Sequence, residues 1–151
     1  MITLYTDGSS KGNPGAGGYA AILQYKEHTK ELVGAFNKTT NNRMELMALI
    51  AGLEAITKKN QQIIIYTDSR YIVDAINKGW IQRWFATNFK KKKNQDLWRR
   101  LWQSYIQHQI QLRWVRGHAG HPQNERCDTL AVQAAEKGPW KEDLGYIAHT
   151  S

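Results

Sequence analysis

The sequence of 151 residues holds a single cysteine, Cys127. A lone thiol excludes an intramolecular disulfide and any multi-cysteine zinc site, and it suits a reducing, cytoplasmic setting. Long apolar runs are also missing. The longest, such as Ile63-Ile64-Ile65, fall far short of the roughly 20 residues that cross a bilayer. The opening Met1-Ile2-Thr3-Leu4 has neither a basic segment nor an apolar one behind it, so no cleaved leader is expected. There is no internal repeat and no linker within 1–137. Acidic residues are scarce: 13 against 21 Lys and Arg, a net charge of +8. A basic surface favours polyanions such as nucleic acid, or an anionic membrane face.

What is present is ordinary globular material. Hydrophobic residues make up 41% and charged residues 23%, which excludes wholesale disorder. The length fits one domain over 1–151 that can bury a core without disulfides or structural metal. The charge is unevenly placed. Between Lys78 and Arg100, eight basic residues face Asp96 alone, so +7 of the +8 lies in one segment, about 78–100.

Periodicity gives the elements. Alternation over 2–6, 19–25 and 31–36 predicts three strands with short connections, an antiparallel meander. A glycine-rich loop, Gly12 to Gly18, separates the first two. Apolar residues at three- and four-residue spacing predict a helix from Asn42 to about 58–60. The run 63–67 reads as a strand buried on both faces. A helix over 68–76, a helical or looped basic stretch over 79–94 and a helix over 96–107 follow. Then come a fifth strand over 110–115, a Gly/His loop over 116–123 and a helix over 125–136. The polar tail, 138–151, is expected to be partly disordered and flexible. Strands first, then strand–helix alternation, predict an α/β fold: a mixed sheet with helices packed on it.

Four acids stand out. Asp7 is expected to end the first strand and Asp68 the fourth, Glu45 to lie in the first turn of the first long helix, and Asp128 near the start of the last. Ligands bind outside strand carboxyl ends near a topological switch, and parallel neighbours would set Asp7 beside Asp68. Each acid has an ordinary alternative. Asp7-Gly8 is a turn dipeptide, Asn42-x-x-Glu45 a capping box, Asp68 an N-cap, and Asp128 a solvated helix charge. Clustered carboxylates repel in a low-dielectric site, and a hard cation such as Mg²⁺, which takes oxygen ligands and couples to phosphate, cancels that cost. Two such ions can clamp a phosphodiester displacement.

Several stretches together resemble bacterial type-1 ribonuclease H. They are Tyr5-Thr6-Asp7-Gly8-Ser9, Gly12-Asn13-Pro14-Gly15, Thr39-Thr40-Asn41-Asn42-Arg43-Met44-Glu45-Leu46, Thr67-Asp68-Ser69, and the run from Trp114 through Gly117-His118-Ala119-Gly120-His121-Pro122 to Asp128. They occur in family order over roughly 2–137. The resemblance implies a ribonuclease H-like fold, a five-stranded mixed sheet of order 3-2-1-4-5 flanked by helices on both faces. It implies an endonuclease cutting the RNA strand of RNA/DNA hybrids to 5′-phosphate and 3′-hydroxyl ends. The residues matching the family's metal ligands are Asp7, Glu45, Asp68 and Asp128, holding two Mg²⁺ ions with substrate, for which Mn²⁺ substitutes.

His118 matches the family's loop histidine, which shuttles a proton or assists product release. Imidazole titrates near neutral pH, and the flanking glycines allow loop movement. By the same resemblance Gly8, Ser9, Gly12, Asn13 and Asn42 meet the minor groove, where only polar groups can test a 2′-hydroxyl. Thr40, Asn41 and Arg43 match a pocket for a DNA phosphate. The basic segment corresponds to the family's handle, with Trp80 and Lys90, Lys91, Lys92 and Lys93 as contacts. Its cations would make affinity salt-dependent. Here the chain departs from the pattern: Trp80 to Asp96 is several residues shorter and lacks a Gly-Trp-Lys-Thr-like element, for which Phe89 and the lysine run are the available substitutes. Other readings are another metal-dependent nuclease of this fold and a non-catalytic hybrid- or duplex-RNA-binding module. Nothing signals an oligomer interface or a membrane partner, so a monomer is the default.

Overall fold

The computed structural model describes residues 1–90, 92–116 and 121–150; Lys91 and His118 lie outside the described residues. Five strands form one sheet of order β3-β2-β1-β4-β5. They are β1 (Ile2–Ser10), β2 (Gly15–Tyr25), β3 (His28–Thr39), β4 (Gln62–Thr67) and β5 (Gln109–Trp114). β1 runs antiparallel to β2 and parallel to β4, and β4 runs parallel to β5. The helices are α1 (Asn41–Glu54), α2 (Arg70–Asn77), α3 (Trp80–Ala86), α4 (Gln95–Tyr105), α5 (Pro122–Lys137) and α6 (Leu144–Thr150). No helix among the described residues is long and apolar enough to cross a membrane.

Two clusters divide the core. The larger joins Leu4, Ile63 and Ile65 of the sheet to Met44, Leu49 and Ile50 of α1, Ile72 and Ile76 of α2, and Leu97, Trp98 and Leu101 of α4. The smaller, on the opposite face, joins Ala20, Ile22 and Tyr5 to Cys127 and Ala131 of α5. Helix α1 lies between the sheet and α4, so it is buried nearly all round, from Arg43 through Leu53 with few breaks. α5 packs on β1, β2 and β3. Ile64 and Tyr66 therefore remain half-buried, and β4 is covered fully on one face only, rather than on both as its unbroken apolar run suggests.

Three expectations change. α1 ends at Glu54 and not near residue 58: Ala55 N–H makes the last i→i−4 bond, to Ala51, and Ile56 N–H tightens to Leu53 at 3.1 Å. β1 continues through Asp7 to Ser10 by pairing with β2, so Asp7 lies within the strand. The tail is docked rather than loose. Lys141 bridges Phe36 at the β3 edge, α6 follows, and the Asp143 carboxylate is buried.

Candidate active site

The β1–β4 ladder stops at Tyr5↔Tyr66. Continuing that register sets Asp7 opposite Asp68, the first residue after β4, across the widening end of the parallel pair. Glu45 arrives from above. Its helix starts at Thr40, whose side chain accepts from Arg43 N–H at 3.3 Å. The cap is thus Thr40, and Glu45 is not part of a capping box. Likewise Ser69, accepting from Ile72 N–H at 3.3 Å, caps α2 in place of Asp68. Both acids are released from the ordinary roles their positions suggested. Gly8 makes the approach possible: a Cβ there would collide with the backbone of Met44 and Glu45.

Asp7, Glu45 and Asp68 each offer a carboxylate oxygen, and these oxygens lie within 4.8 Å of one another. Asp7 and Glu45 are buried, and Asp68 is half-buried, so the cluster opens to solvent on the Asp68 side. Burial first, then the Asp68 charge, with a further push from Asp128, raises the Asp7 carboxyl from 3.8 to about 7. The Gly8 N–H, donating to Asp7 Oδ1 at 2.9 Å, and a Glu45 hydrogen bond oppose the rise. Burial, followed by the charges of Asp7 and Asp68, holds Glu45 well above the usual carboxylate range. Glu45 Oε2 is buried with no hydrogen-bond partner among the described residues. An unpartnered buried oxygen is costly. Beside two further carboxylates, it is the donor arrangement a hard divalent cation requires. Asp128, half-buried on α5, lies outside the 4.8 Å group, although its charge is felt at Asp7.

The residues matched to substrate contacts separate into two sets. Gly12, Asn13, Asn41 and Asn42 are exposed around the start of α1, and Asn13 Oδ1 accepts from Asn41 N–H at 3.0 Å, tying the glycine loop to the helix. Ser9 is half-exposed beside them. Gly8 is buried, and its N–H donates to Asp7 Oδ1. Arg43 also needs correction. Its guanidinium is 2% exposed, and all five N–H groups are committed: Nε and Nη2 to Asp143, Nη1 and Nη2 to Asp96, Nη1 also to Asn94. Burial would lower its pKa, but the bonds to Asp96 and then Asp143 hold it above the ordinary value. Thr39 Oγ1 donates to the same Asp143 at 2.6 Å. Arg43 therefore anchors the start of α1 to α4 and the tail, and presents no free donor to a phosphate.

On the basic segment, Lys90, Lys92, Lys93 and Trp80 are exposed. Lys78 and Lys92 sit over the rings of Trp80 and Trp84, at 5.2 and 5.1 Å. Phe89 is 1% exposed and packs with Phe85. It is a core residue and offers no stacking surface.

The sequence reading missed Asp96 and Asp143 as partners of Arg43. Their separation from it, 53 and 100 residues, leaves no local signal. It also passed over Asn124, buried in the first turn of α5 with Oδ1 unpartnered among the described residues.

Comparisons with known proteins agree with this arrangement. The RNase H family model matches residues 1–136. A ribonuclease H of Rippkaea orientalis is 52% identical over 150 residues, covering 96% of this chain and 91% of its own. One of Desulforamulus reducens is 52% identical over 141 residues, covering 90% and 88%. Among solved structures, LC9-RNase H1, a type 1 RNase H with the type 2 active-site motif, has a TM-score of 0.80 at 30% identity, covering 99% of this chain and 81% of its own. LC11-RNase H1, solved in complex with RNA/DNA hybrid, shares the fold with a TM-score of 0.73 at 22% identity, covering 91% and 98%. With sequence, sheet order and helix placement agreeing over nearly its whole length, the chain belongs to the ribonuclease H family.

Proposed function

We propose that this chain is an endonuclease that hydrolyses the RNA strand of RNA/DNA hybrids with Mg²⁺, leaving 5′-phosphate and 3′-hydroxyl ends. The observation that carries the reading is the group of Asp7, Glu45 and Asp68 in a chain of this family, with the buried Glu45 Oε2 lacking a hydrogen-bond partner among the described residues. Asp7, Glu45 and Asp68 would hold the cations, with Asp128 of α5, whose charge is felt at Asp7, as the fourth carboxylate. When bound, two such ions offset the phosphodiester charge and stabilise the attacking and leaving oxygens; Mn²⁺ can substitute. The half-buried Asp68 leaves the side through which the scissile phosphate enters. His118, next to this edge in sequence, carries a proton or assists product departure.

The exposed residues around the start of α1 supply strand discrimination. Ser9, Gly12, Asn13 and Asn42 offer polar groups to the minor groove, where the RNA 2′-hydroxyls are tested. Thr40 and Asn41 receive a DNA phosphate without a free guanidinium from Arg43. Farther along the duplex, Trp80 and Lys90 to Lys93 neutralise phosphates of the DNA strand. The enzyme acts as a cytoplasmic monomer.

The test is gel-resolved cleavage of one end-labelled RNA strand, presented single-stranded, paired with RNA and paired with DNA, in Mg²⁺ and in EDTA, beside Asp68→Asn. Cleavage confined to the hybrid with Mg²⁺, and lost in the variant, is expected. Hybrid binding without cleavage would overturn the reading in favour of a binding module, and equal cleavage of duplex RNA would remove the strand discrimination.

A further inference from the structure

The β1–β4 ladder ends on a pair of aromatic residues, Tyr5↔Tyr66. Their rings stack, with centroids 5.3 Å apart and planes 13° from parallel. Alternation along a strand puts residues two apart on one face. Tyr5 therefore shares its face with Asp7, and the same alternation carried one step past β4 sets Asp68 with Tyr66. The ring contacts continue onto α5. The His121 ring, at the start of that helix, lies 6.4 Å from Tyr66 at an angle of 35°. Cys127 Sγ, one residue before Asp128, donates to Tyr5 O at 3.4 Å. Three rings in contact thus join β1, β4 and α5, the elements that bring Asp7, Asp68 and Asp128.

Each of the two strands is also fastened to its outer neighbour. β1 pairs with β2 as far as Ser10. The end of β4 is tied to β5, with Val115 N–H donating to Thr67 O at 2.9 Å and Trp114 Nε1 donating to Asp68 O at 3.1 Å. Between β1 and β4, the last pair in register is Tyr5↔Tyr66, and the strands widen beyond it. A flat stacked pair at that point fixes the distance at which the strands begin to part. We propose that Tyr66 is a positioning residue: in ring contact with both Tyr5 and His121, it sets the separation of the Asp7 and Asp68 carboxylates. The inference rests on the reading of those acids as cation ligands. Mg²⁺ demands near-ideal octahedral geometry, so a small change in that separation is felt as affinity. Groups that orient ligands are worth tenfold or more in metal affinity, and a ring contact two residues from the ligand is worth about fivefold.

Tyr66→Phe keeps the stack and removes only the hydroxyl that Arg113 Nη1 meets at 3.5 Å. Tyr66→Leu keeps apolar bulk and removes the flat ring. Cleavage by Tyr66→Leu is expected to need about fivefold more Mg²⁺ for half its maximal rate, with the hybrid KM unchanged and the rate restored at high Mg²⁺. The rise in Tm that Mg²⁺ confers without substrate should shrink in Tyr66→Leu and be kept in Tyr66→Phe. His121→Leu should shift the Mg²⁺ requirement in the same direction by less. A Tm lowered in EDTA with an unchanged Mg²⁺ requirement would make the ring a packing residue alone and overturn the proposal, leaving the nuclease reading intact. So would an equal shift in Tyr66→Phe, which would assign the effect to the hydroxyl. If the unmodified chain gains Tm from Mg²⁺ but cuts no hybrid, the nuclease reading falls, and loss of that gain in Tyr66→Leu but not in Tyr66→Phe still upholds the positioning role. Absence of any Mg²⁺-dependent Tm rise and of hybrid cleavage in the unmodified chain would overturn both.

Discussion

Removing one carboxylate from the cluster should stabilise the metal-free protein, and the pH dependence of that gain tests the electrostatics directly. In the folded state burial and Asp68 raise the Asp7 carboxyl from 3.8 to about 7. The folded chain then binds that proton more tightly than the unfolded chain. Its contribution to stability is fully present below about pH 4 and is lost as pH rises to about 7. At 1.36 kcal/mol per pH unit, the interval corresponds to about 4 kcal/mol. Glu45 titrates with Asp7, so the loss belongs to the pair. Asp7→Asn keeps the size of the side chain and abolishes the charge. By urea unfolding in EDTA it should exceed the unmodified protein by about 3 kcal/mol at pH 8, equivalent to a Tm rise on the order of 10 °C. At pH 4 the two should coincide. Saturating Mg²⁺ should stabilise the unmodified protein by about 2–3 kcal/mol at 100 times its Kd, and the variant by less. Equal stability of the two proteins at pH 8 in EDTA, or a gain that persists undiminished at pH 4, would refute the account of the cluster.

Three other perturbations separate binding, turnover and scaffold. His118→Ala should lower turnover substantially while hybrid affinity, followed by fluorescence anisotropy in Ca²⁺, persists; unchanged single-turnover and steady-state rates would remove the histidine's role. Replacing Lys90 to Lys93 with Ala should raise KM and reduce the magnitude of the log K against log salt slope by up to about 3–4, leaving the maximal rate nearly intact. Asp143→Ala leaves the buried Arg43 with half its anion partners. It should cost about 3 kcal/mol by denaturant unfolding and loosen the start of α1, which hydrogen exchange at Met44 and Glu45 would register as lost protection.

The sequence was legible wherever the deciding signal was local. The period of two in β1 and the helical spacing in α1 placed those elements, and the family resemblance carried by the motifs around the four acids implied the sheet order that the structure has. The brackets on those elements were less legible, because a neighbour decided them. β1 outruns its alternation since β2 supplies a partner as far as Ser10, and Asp7 is a mid-strand residue for that reason. Arg43 carried the opposite lesson. A motif assigned it to a phosphate, while two carboxylates far along the chain, together with Asn94, occupy every donor it has. The tail looked loose because its anchor is a single buried Asp143 and one bridge to β3, neither of which leaves a periodic trace.

The cluster of acids shows why a site can be read from composition and motif while its energy cannot. Which carboxylates meet follows from the end of the β1–β4 ladder and a helix start. How strongly they repel follows from burial, and burial here depends on Gly8 letting α1 close over Asp7 and on Asp68 remaining half-open. Apo instability and cation affinity are then two measures of one quantity. The charge that destabilises the empty cluster is the charge that a cation neutralises, so a substitution that relieves the first must weaken the second. The stability gained by Asp7→Asn in EDTA and the Mg²⁺ stabilisation it forfeits should therefore scale together across pH. Gain and forfeit that vary independently would mean that the cation binds somewhere other than Asp7, Glu45 and Asp68.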